Sequence, residues 1–189
     1  MRLVQDAVTA NCRGIISFGI AAGLKRGLGP GTCLIGREVA HGEKRYFADE
    51  TWTARLKARL GKAELVGIAG VDQPLLTPSQ KEALSEATGA AAADMESHVT
   101  ARVAAGLGLP FAVLRVVADP VERALPPAAL AGMREGGGTD PGAVLLSLAR
   151  DPRQVMQLVR VAADACRAYY TLLRCHRRLG PGLGLLDLG

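Results

Sequence analysis

Residues 88–120 read TGAAAADMESHVTARVAAGLGLPFAVLRVVADP, and this stretch decides the class of fold. The small residues of Ala90–Ala93 predict a short buried strand, and a helix is predicted to follow over residues 97–106. The apolar run Phe111–Val117 predicts a second buried strand, which Pro120 prevents from continuing. A strand, a helix and a strand in this order predict an α/β protein.

The same alternation continues on both sides of this stretch. Further strands are predicted over Gly14–Phe18, Thr32–Val39 and Leu65–Ala69, and further helices over Thr51–Leu60, Pro78–Gly89 and Pro152–Leu179. The GIAAGL segment after the first of these strands predicts a tight turn that a ligand can approach. Pro126–Asp140 is rich in Pro and Gly, which predicts a loop or a lid.

Length and composition predict one domain over residues 1–189, with a flexible tail over residues 180–189. The chain has 189 residues, 49% of them hydrophobic, and no run of eighteen apolar residues that would predict a membrane span. The four cysteines lack C-x-x-C spacing and have no histidine cluster beside them, so the sequence predicts no metal and no cofactor. Reducing cytoplasm is the predicted compartment.

The last predicted helix has a basic ridge. Its arginines recur every seven residues, and apolar residues are expected to bury the opposite side; the arginines are Arg153, Arg160, Arg167 and Arg174, and the apolar residues are Val155, Leu158, Ala162, Cys166, Tyr169 and Leu173. The ridge predicts either a solvated face or peripheral contact with an anionic membrane. Nucleic-acid binding is disfavoured, because exposed aromatic residues do not alternate with the arginines.

Two carboxylates stand where predicted strands end. Asp119 follows FAVLRVVA, and Glu96 follows GAAAADM. Ligands of α/β sheets bind beyond the carboxyl ends of strands, so one acid could hold sugar hydroxyls while the other transfers a proton. The alternatives are a turn aspartate before proline and a glutamate at a helix N-terminus. His98 is expected to be an ordinary helix residue, and Arg115 either a core salt-bridge partner or an anion ligand.

Three motifs in order resemble the nucleoside phosphorylase and nucleosidase superfamily: SFGIAAGL, LGPGT and the stretch from TGAAAADMES to VVADP. The resemblance extends from about Cys12 to Leu179, and within it RALPPAALAGM and the arginine-rich last helix look like the hopanoid-associated phosphorylases. It implies a three-layer α/β fold with a mixed central sheet flanked by helices. It also implies cleavage of the N-glycosidic bond of a purine (adenosyl) nucleoside by phosphate or water, with adenosylhopane as the substrate in hopanoid biosynthesis.

The resemblance also implies a role for each site residue. Glu96 would bind the ribose hydroxyls, Met95 would pack on the sugar, and Asp119 would protonate or hydrogen-bond the purine at N7. Ala21 and Ala22 would supply backbone contacts to base and sugar. This division follows the chemistry, because the leaving base gains negative charge while the sugar gains positive charge.

The sequence departs from the family pattern at two kinds of place. Ile20 stands where many members carry the Ser or Thr that holds phosphate or water. The first strand and its nucleophile-binding loop also look absent, because Met1–Ala10 predicts the end of a helix. The alternative is therefore a weak or inactive nucleoside-binding remnant. The family further implies a homodimer, for which the face of Trp52, Leu56 and Leu60 is either core or interface.

Overall fold

The computed structural model describes residues 12–131 and 140–185, which form a mixed sheet flanked by helices. The strands are β1 (Ile15–Gly23), β2 (Cys33–His41), β3 (Lys44–Phe47), β4 (Glu64–Gly70), β5 (Ala92–Asp94) and β6 (Phe111–Asp119). The helices are α1 (Glu50–Leu60), α2 (Pro78–Thr88), α3 (Ser97–Leu107), α4 (Pro127–Ala131), α5 (Pro141–Arg150) and α6 (Gln154–Leu179). The predicted α/β class with a mixed sheet is confirmed, whereas the predicted absence of a first strand concerns residues outside this description.

The six strands form one strongly curved sheet. Their order is β3-β2-β4-β5-β1-β6, and β6 also pairs with β2, so the sheet closes on itself. β2, β4 and β5 run parallel, β1 runs antiparallel to β5, and β6 runs parallel to β1. As a result β1 lies between β5 and β6, the two strands on which the sequence places the candidate acids.

Both faces of the sheet are covered by apolar packing. One core cluster joins strand residues such as Ile68 and Val113 to the small residues Ala101 and Ala104 of α3. The other joins strand residues such as Leu114 to α1 and α6. Trp52, Leu56 and Leu60 are all buried in this second cluster, so the alternative that they form a dimer interface is wrong. No helix in the described residues is long and apolar enough to cross a membrane.

The ends of α2 agree with their local sequence signals. Thr77 accepts a hydrogen bond from the backbone N–H of Gln80, whose side chain returns to the backbone of Thr77 in a capping box, and Pro78 occupies the first turn. Gly89 ends the helix in the left-handed conformation with φ of 74°. The predicted beginning and end of this helix are therefore confirmed.

The first strand extends further than predicted. β1 continues to Gly23, so Ile20, Ala21 and Ala22 belong to the sheet, and the prediction of a tight turn at GIAAGL is wrong. The reason lies in the tertiary structure. β5 and β6 pair with the two sides of this segment, and their hydrogen bonds satisfy its backbone N–H and C=O groups. β3, which pairs with β2 at the edge of the sheet, had no counterpart in the sequence prediction.

The region after Asp119 contains more helix than predicted. The predicted loop over residues 126–140 contains α4, and α5 begins directly after it; the residues between them, 132–139, lie outside the described part of the chain. The beginning of the predicted flexible tail is ordered against the core. The backbone oxygen of Leu183 accepts a hydrogen bond of 2.9 Å from Trp52 Nε1, and Leu185 packs on the second core cluster.

The buried face of α6 differs from the predicted one. Asp164, Ala168, Cys175 and Leu179 are among its buried residues. The residues expected to be buried are mostly exposed: Val155, Ala162, Cys166, Tyr169 and Leu173. The arginine ridge is exposed as predicted. The helix thus has two faces with apolar residues. β6 packs against the face of Ala168 and Cys175, and not against the face that the seven-residue spacing of the arginines had predicted to be buried.

Candidate active site

Strand register places Asp119 on one side of a residue of β1 and the strand that precedes Glu96 on the other side. Ala22 pairs with Ala93 of β5 on one side and with Asp119 of β6 on the other. Met95 and Glu96 follow β5 directly. The candidate residues 20–22 and 119 therefore lie on the adjacent strands β1 and β6, and residues 95–96 follow β5, the other neighbour of β1, which has a register irregularity between Ala21 and Ala22.

Asp119 is bound by a lysine that sequence reasoning missed. Lys81 of α2 is fully buried, and its Nζ lies 2.7 Å from Asp119 Oδ2. The same ammonium donates hydrogen bonds to the backbone oxygens of Pro120, at 3.0 Å, and Arg123, at 2.8 Å. All three ammonium protons thus have an acceptor, which is what a buried lysine requires. Lys81 therefore fixes both the Asp119 carboxylate and the loop that follows it.

The surroundings of Asp119 favour its protonated form. Its side chain is about 20% exposed, and burial raises the pKa of the Asp119 carboxyl above its ordinary value. The hydrogen bond and charge of Lys81, and then the charge of Arg123, act against this rise in the pKa. Burial is the larger effect, so Asp119 holds a proton to higher pH than an exposed aspartate, as a general acid must.

Glu96 lies beside a buried arginine that anchors the end of β5. Arg115 Nη2 is 3.4 Å from Glu96 Oε2, and Arg115 Nε is 3.0 Å from Asp94 Oδ2. The guanidinium also donates to the hydroxyl oxygens of Ser17 and Ser97. Of the two roles open for Arg115, the structure supports a salt-bridging core residue. The Asp94 carboxylate in addition accepts hydrogen bonds from the backbone N–H groups of Glu96 and Ser97, which sets the start of α3.

Gly19 makes room for this arginine. A Cβ built on Gly19 would collide with Nη1 of Arg115, so a larger residue there would force the guanidinium to shift away from its ion pairs and hydrogen bonds. The same Nη1 donates to the backbone oxygen of Ile20 at 3.3 Å. The side chain of Ile20 packs with the second core cluster, so only the backbone of this residue contributes to the Arg115 network.

The two residues predicted to contact the sugar are open to solvent. The Glu96 side chain is 68% exposed, and Met95 is 39% exposed, whereas Ala21 is buried and Ala22 half-buried. An exposed Met next to an exposed carboxylate, held by a buried arginine, forms a surface that could pack on and hydrogen-bond a ribose. Roles in substrate binding for these residues stay predictions.

Two histidines meet an aspartate near the same strand ends. The His41 and His98 rings stack with centroids 4.2 Å apart, and Asp72 lies 3.2 Å from Nε2 of His98 and 3.9 Å from Nε2 of His41. His98 is buried rather than an ordinary helix residue, and a Cβ on Gly70 would collide with its ring. Burial, followed by the charge of His41, lowers the pKa of His98, so this imidazole favours its neutral form.

These three residues are the group in the described chain that could hold a metal ion, since their ligand atoms lie within 4.8 Å of one another. The ring planes are nearly parallel, at 12°, so the two imidazoles do not converge on one point as tetrahedral ligands do. Asp72 instead lies within 3.2 Å of the His98 ring, while Nδ1 of His41 is 3.1 Å from the backbone oxygen of Gly70. Sequence reasoning could not find this cluster, because His41 comes from β2, Asp72 from the loop after β4 and His98 from α3.

Two cavities in the described part of the chain lie away from the candidate acids. One, of about 570 Å³, is lined by residues around β3 that include Arg37, Glu38 and Thr88. The other, of about 540 Å³, lies between Gly31, Arg59 and α6. The strand ends are the better candidate for a reaction centre, because such a centre needs convergent ionisable groups and not only volume.

With this geometry in place, comparison with known proteins gives the family. The sequence profile of the phosphorylase superfamily matches residues 1–135, so the chain belongs to the phosphorylase superfamily. No curated protein sequence matches the chain. The resemblance to this superfamily deduced from the three motifs is confirmed, and the hopanoid-associated subtype remains a prediction.

Solved structures similar to this chain include nucleoside-cleaving enzymes. Native futalosine hydrolase of Helicobacter pylori is 20% identical with a TM-score of 0.58, and the match covers 62% of each chain. The chain therefore spans less than two thirds of that protein. The Helicobacter pylori 5'-methylthioadenosine/S-adenosylhomocysteine nucleosidase is 16% identical with a TM-score of 0.62, over 92% of this chain and 72% of that one. At these identities the likeness establishes the fold.

Proposed function

We propose that this protein cleaves the N-glycosidic bond of a purine nucleoside with Asp119 as the acid at the base. The observation that carries the proposal is the pairing of Ala22 with both Ala93 and Asp119, which places the SFGIAAGL motif between the two ends of the TGAAAADMES-to-VVADP stretch. Membership of the phosphorylase superfamily supports it. The nucleosidase and hydrolase structures of the same fold support the general reaction class.

Asp119 stabilises the leaving base in this proposal. When the bond between sugar C1' and purine N9 breaks, its electron pair goes to the purine, and a proton from Asp119 to N7 neutralises the charge that develops there. Burial raises the pKa of Asp119, which keeps the proton available, while Lys81 stabilises the carboxylate that remains after transfer. Lys81 is thus a positioning residue for the acid.

Glu96 and Met95 hold the sugar on the other side of the bond. The Glu96 carboxylate accepts hydrogen bonds from ribose hydroxyls, and Met95 packs against the ring. The carboxylate lies beside Arg115, which is itself held by Asp94, so its position is supported by buried groups rather than by solvent. Backbone atoms of Ala21 and Ala22 border the base and the sugar between the two acids.

Water or phosphate attacks C1' from the opposite face of the sugar, and we expect water to be the better nucleophile for this chain. The supporting observation is Ile20, whose side chain packs in the core and offers no hydroxyl to an anion. Phosphate needs several donors at its oxygens, whereas a water molecule needs few. Phosphate remains the alternative co-substrate, and no cofactor is required for either reaction.

An adenosyl compound is the substrate that we propose within this class, and an adenosylhopane is the specific member. The supporting features are the RALPPAALAGM segment and the arginine-rich α6, which resemble the hopanoid-associated phosphorylases. Comparison of turnover on 5'-methylthioadenosine and on a detergent-dispersed adenosylhopane tests this choice. A preference of less than about tenfold for the lipid would remove the argument for a hopanoid substrate.

Release of free adenine from adenosine or 5'-methylthioadenosine tests the proposed reaction. The full chain is assayed by chromatography with and without inorganic phosphate, next to Asp119→Asn and the control Glu122→Gln, an exposed acid in the following loop. Asp119→Asn should reduce turnover by about two orders of magnitude, and Glu122→Gln should leave it unchanged. Full activity in Asp119→Asn contradicts the assignment. Nucleoside binding without cleavage supports the alternative of a binding remnant.

A further inference from the structure

We propose that the outer face of α6 docks on an anionic lipid bilayer. This face has an apolar stripe, defined here as Met156, Val159, Ala163, Cys166, Tyr170 and Leu173, whose members recur at alternating spacings of three and four residues. All six are exposed, and the four larger apolar side chains, those of Met156, Val159, Tyr170 and Leu173, are each more than half exposed. Such spacing places them on one side of a helix, so they form a continuous apolar surface.

The stripe has a basic border. The arginine ridge, defined as Arg153, Arg160, Arg167 and Arg174, runs along the helix between the stripe and the buried face, and all four side chains are exposed. Arg177 and Arg178 extend the positive charge at the C-terminal end. An apolar face bordered by arginines is the arrangement of helices that lie in the membrane interface, where apolar groups enter the acyl boundary and guanidinium groups stay among headgroups.

The charges on α6 favour a negative partner over a second copy of the chain. Between residues 154 and 179 the helix has five arginines and one acid, Asp164. Asp164 is buried and ion-paired with Arg123, so it offers no charge to a partner. Two copies that packed stripe to stripe would bring arginine ridges together without compensating acids. Anionic lipid headgroups supply the compensating charge that this surface lacks.

The remainder of the fold permits this orientation. α6 packs against β6 through Ala168, Cys175 and other residues of the opposite face, so the stripe faces outward without any rearrangement of the core. Tyr169 and Tyr170, both more than half exposed, have the amphipathic side chains that are enriched at membrane interfaces. Arg174 lies 6.0 Å from the ring centroid of Tyr170, which places a cation at the edge of the stripe.

Vesicle co-sedimentation of the full chain tests the docking surface, and it is independent of the proposed catalytic activity because the vesicles contain no nucleoside. Phosphatidylglycerol–phosphatidylcholine vesicles are compared with pure phosphatidylcholine vesicles at low and high salt. We expect binding to the anionic vesicles that weakens as salt rises, since the arginine attraction is screened. Equal binding to both vesicles, or binding to neither, would overturn the proposal.

Two double variants test whether vesicle binding depends on the outer face of α6. Arg160→Gln/Arg174→Gln should reduce partitioning to anionic vesicles about 25-fold, from about fivefold for each arginine at the surface. Val159→Ser/Leu173→Ser should reduce it by about tenfold or more, because apolar contact is lost while charge is kept. The matched control Lys44→Gln/Arg102→Gln removes two exposed cations elsewhere and should bind like the parent chain. Equal loss in the control contradicts the assignment to α6.

Dimerisation through the apolar stripe of α6 would give a different result. Sedimentation equilibrium would then detect a dimer that Val159→Glu/Leu173→Glu dissociates, and such a result would overturn the lipid proposal. These residues are exposed, so the parent fold should survive the substitutions, which far-ultraviolet circular dichroism verifies.

Discussion

Replacing Lys81 by Met tests whether the buried ammonium organises the acid of the site. Met has a similar length and no charge, so the change removes only the ammonium group. This group lies 2.7 Å from the Asp119 carboxylate and donates to the backbone oxygens of Pro120, at 3.0 Å, and Arg123, at 2.8 Å. Each unsatisfied carbonyl costs about 1 kcal/mol, and loss of one partner of a buried ion pair costs about 3 kcal/mol where the other partner stays charged. Because Asp119 is partly exposed, water can replace part of the lost interaction with the ammonium and reduce the total cost.

The expected decrease in the free energy of unfolding is therefore about 2–4 kcal/mol for Lys81→Met, measured by urea denaturation near neutral pH. Asp119→Asn in the same background removes the uncompensated carboxylate. The double variant should consequently be more stable than the sum of the two single changes predicts, by about 1 kcal/mol or more. The control Glu82→Gln changes the neighbouring exposed acid of α2 and should alter stability little.

The pH dependence has a defined sign. Burial raises the folded-state pKa of Asp119, so this group stabilises the fold at low pH, and that contribution is lost as pH rises from the ordinary value of 3.8 through the raised pKa. Lys81 lowers the pKa of Asp119, so Lys81→Met should extend this loss to higher pH. If turnover depends on protonated Asp119, its decrease with rising pH should move upward too. An unchanged profile together with unchanged stability would refute the reasoning.

Three further outcomes follow from the site and the family. Glu96→Gln should impair cleavage of a ribonucleoside more than that of the corresponding deoxynucleoside, measured as kcat/KM, and equal loss on both would indicate a structural role at the start of α3. Gly19→Ala should lower the free energy of unfolding by about 1–3 kcal/mol, because its Cβ meets Arg115, and unchanged stability in denaturant would contradict the close approach. We also expect a homodimer that does not use the outer face of α6; a monomer at micromolar concentration in analytical ultracentrifugation would contradict it.

Much of the fold could be predicted because its signals are local. The run Phe111–Val117 becomes the centre of β6, and Pro120 follows its end, since apolar β-rich runs and proline act on the backbone at their own positions. The capping box at Thr77 and the left-handed Gly89 are local in the same sense. The short edge strand β3 escaped prediction because Lys44 and Arg45 are charged, and its pairing depends on β2.

The candidate site likewise contains residues that the sequence predicts and residues that it does not. Asp119 and Glu96 could be predicted, because a carboxylate at or just after the end of an apolar strand is visible in the sequence. Lys81 was not, because a lysine on a predicted helix is ordinarily solvent-exposed; its burial depends on acceptors at Asp119, Pro120 and Arg123, about forty residues away. His41 and His98 are likewise separated in sequence and meet only when β2 and α3 are packed.

The alternation of strands and helices, the family motifs and the two acids at strand ends can be read from the residues alone, because hydrophobic period, turn chemistry and motif spacing are properties of neighbouring residues. Tertiary structure alone decided that Ala22 lies between β5 and β6, that Lys81 is buried against Asp119, and which side of α6 faces the sheet. A helix with apolar residues on two sides can bury either one. The choice depends on the shape and contacts of the surface it meets, and those are properties of the assembled fold.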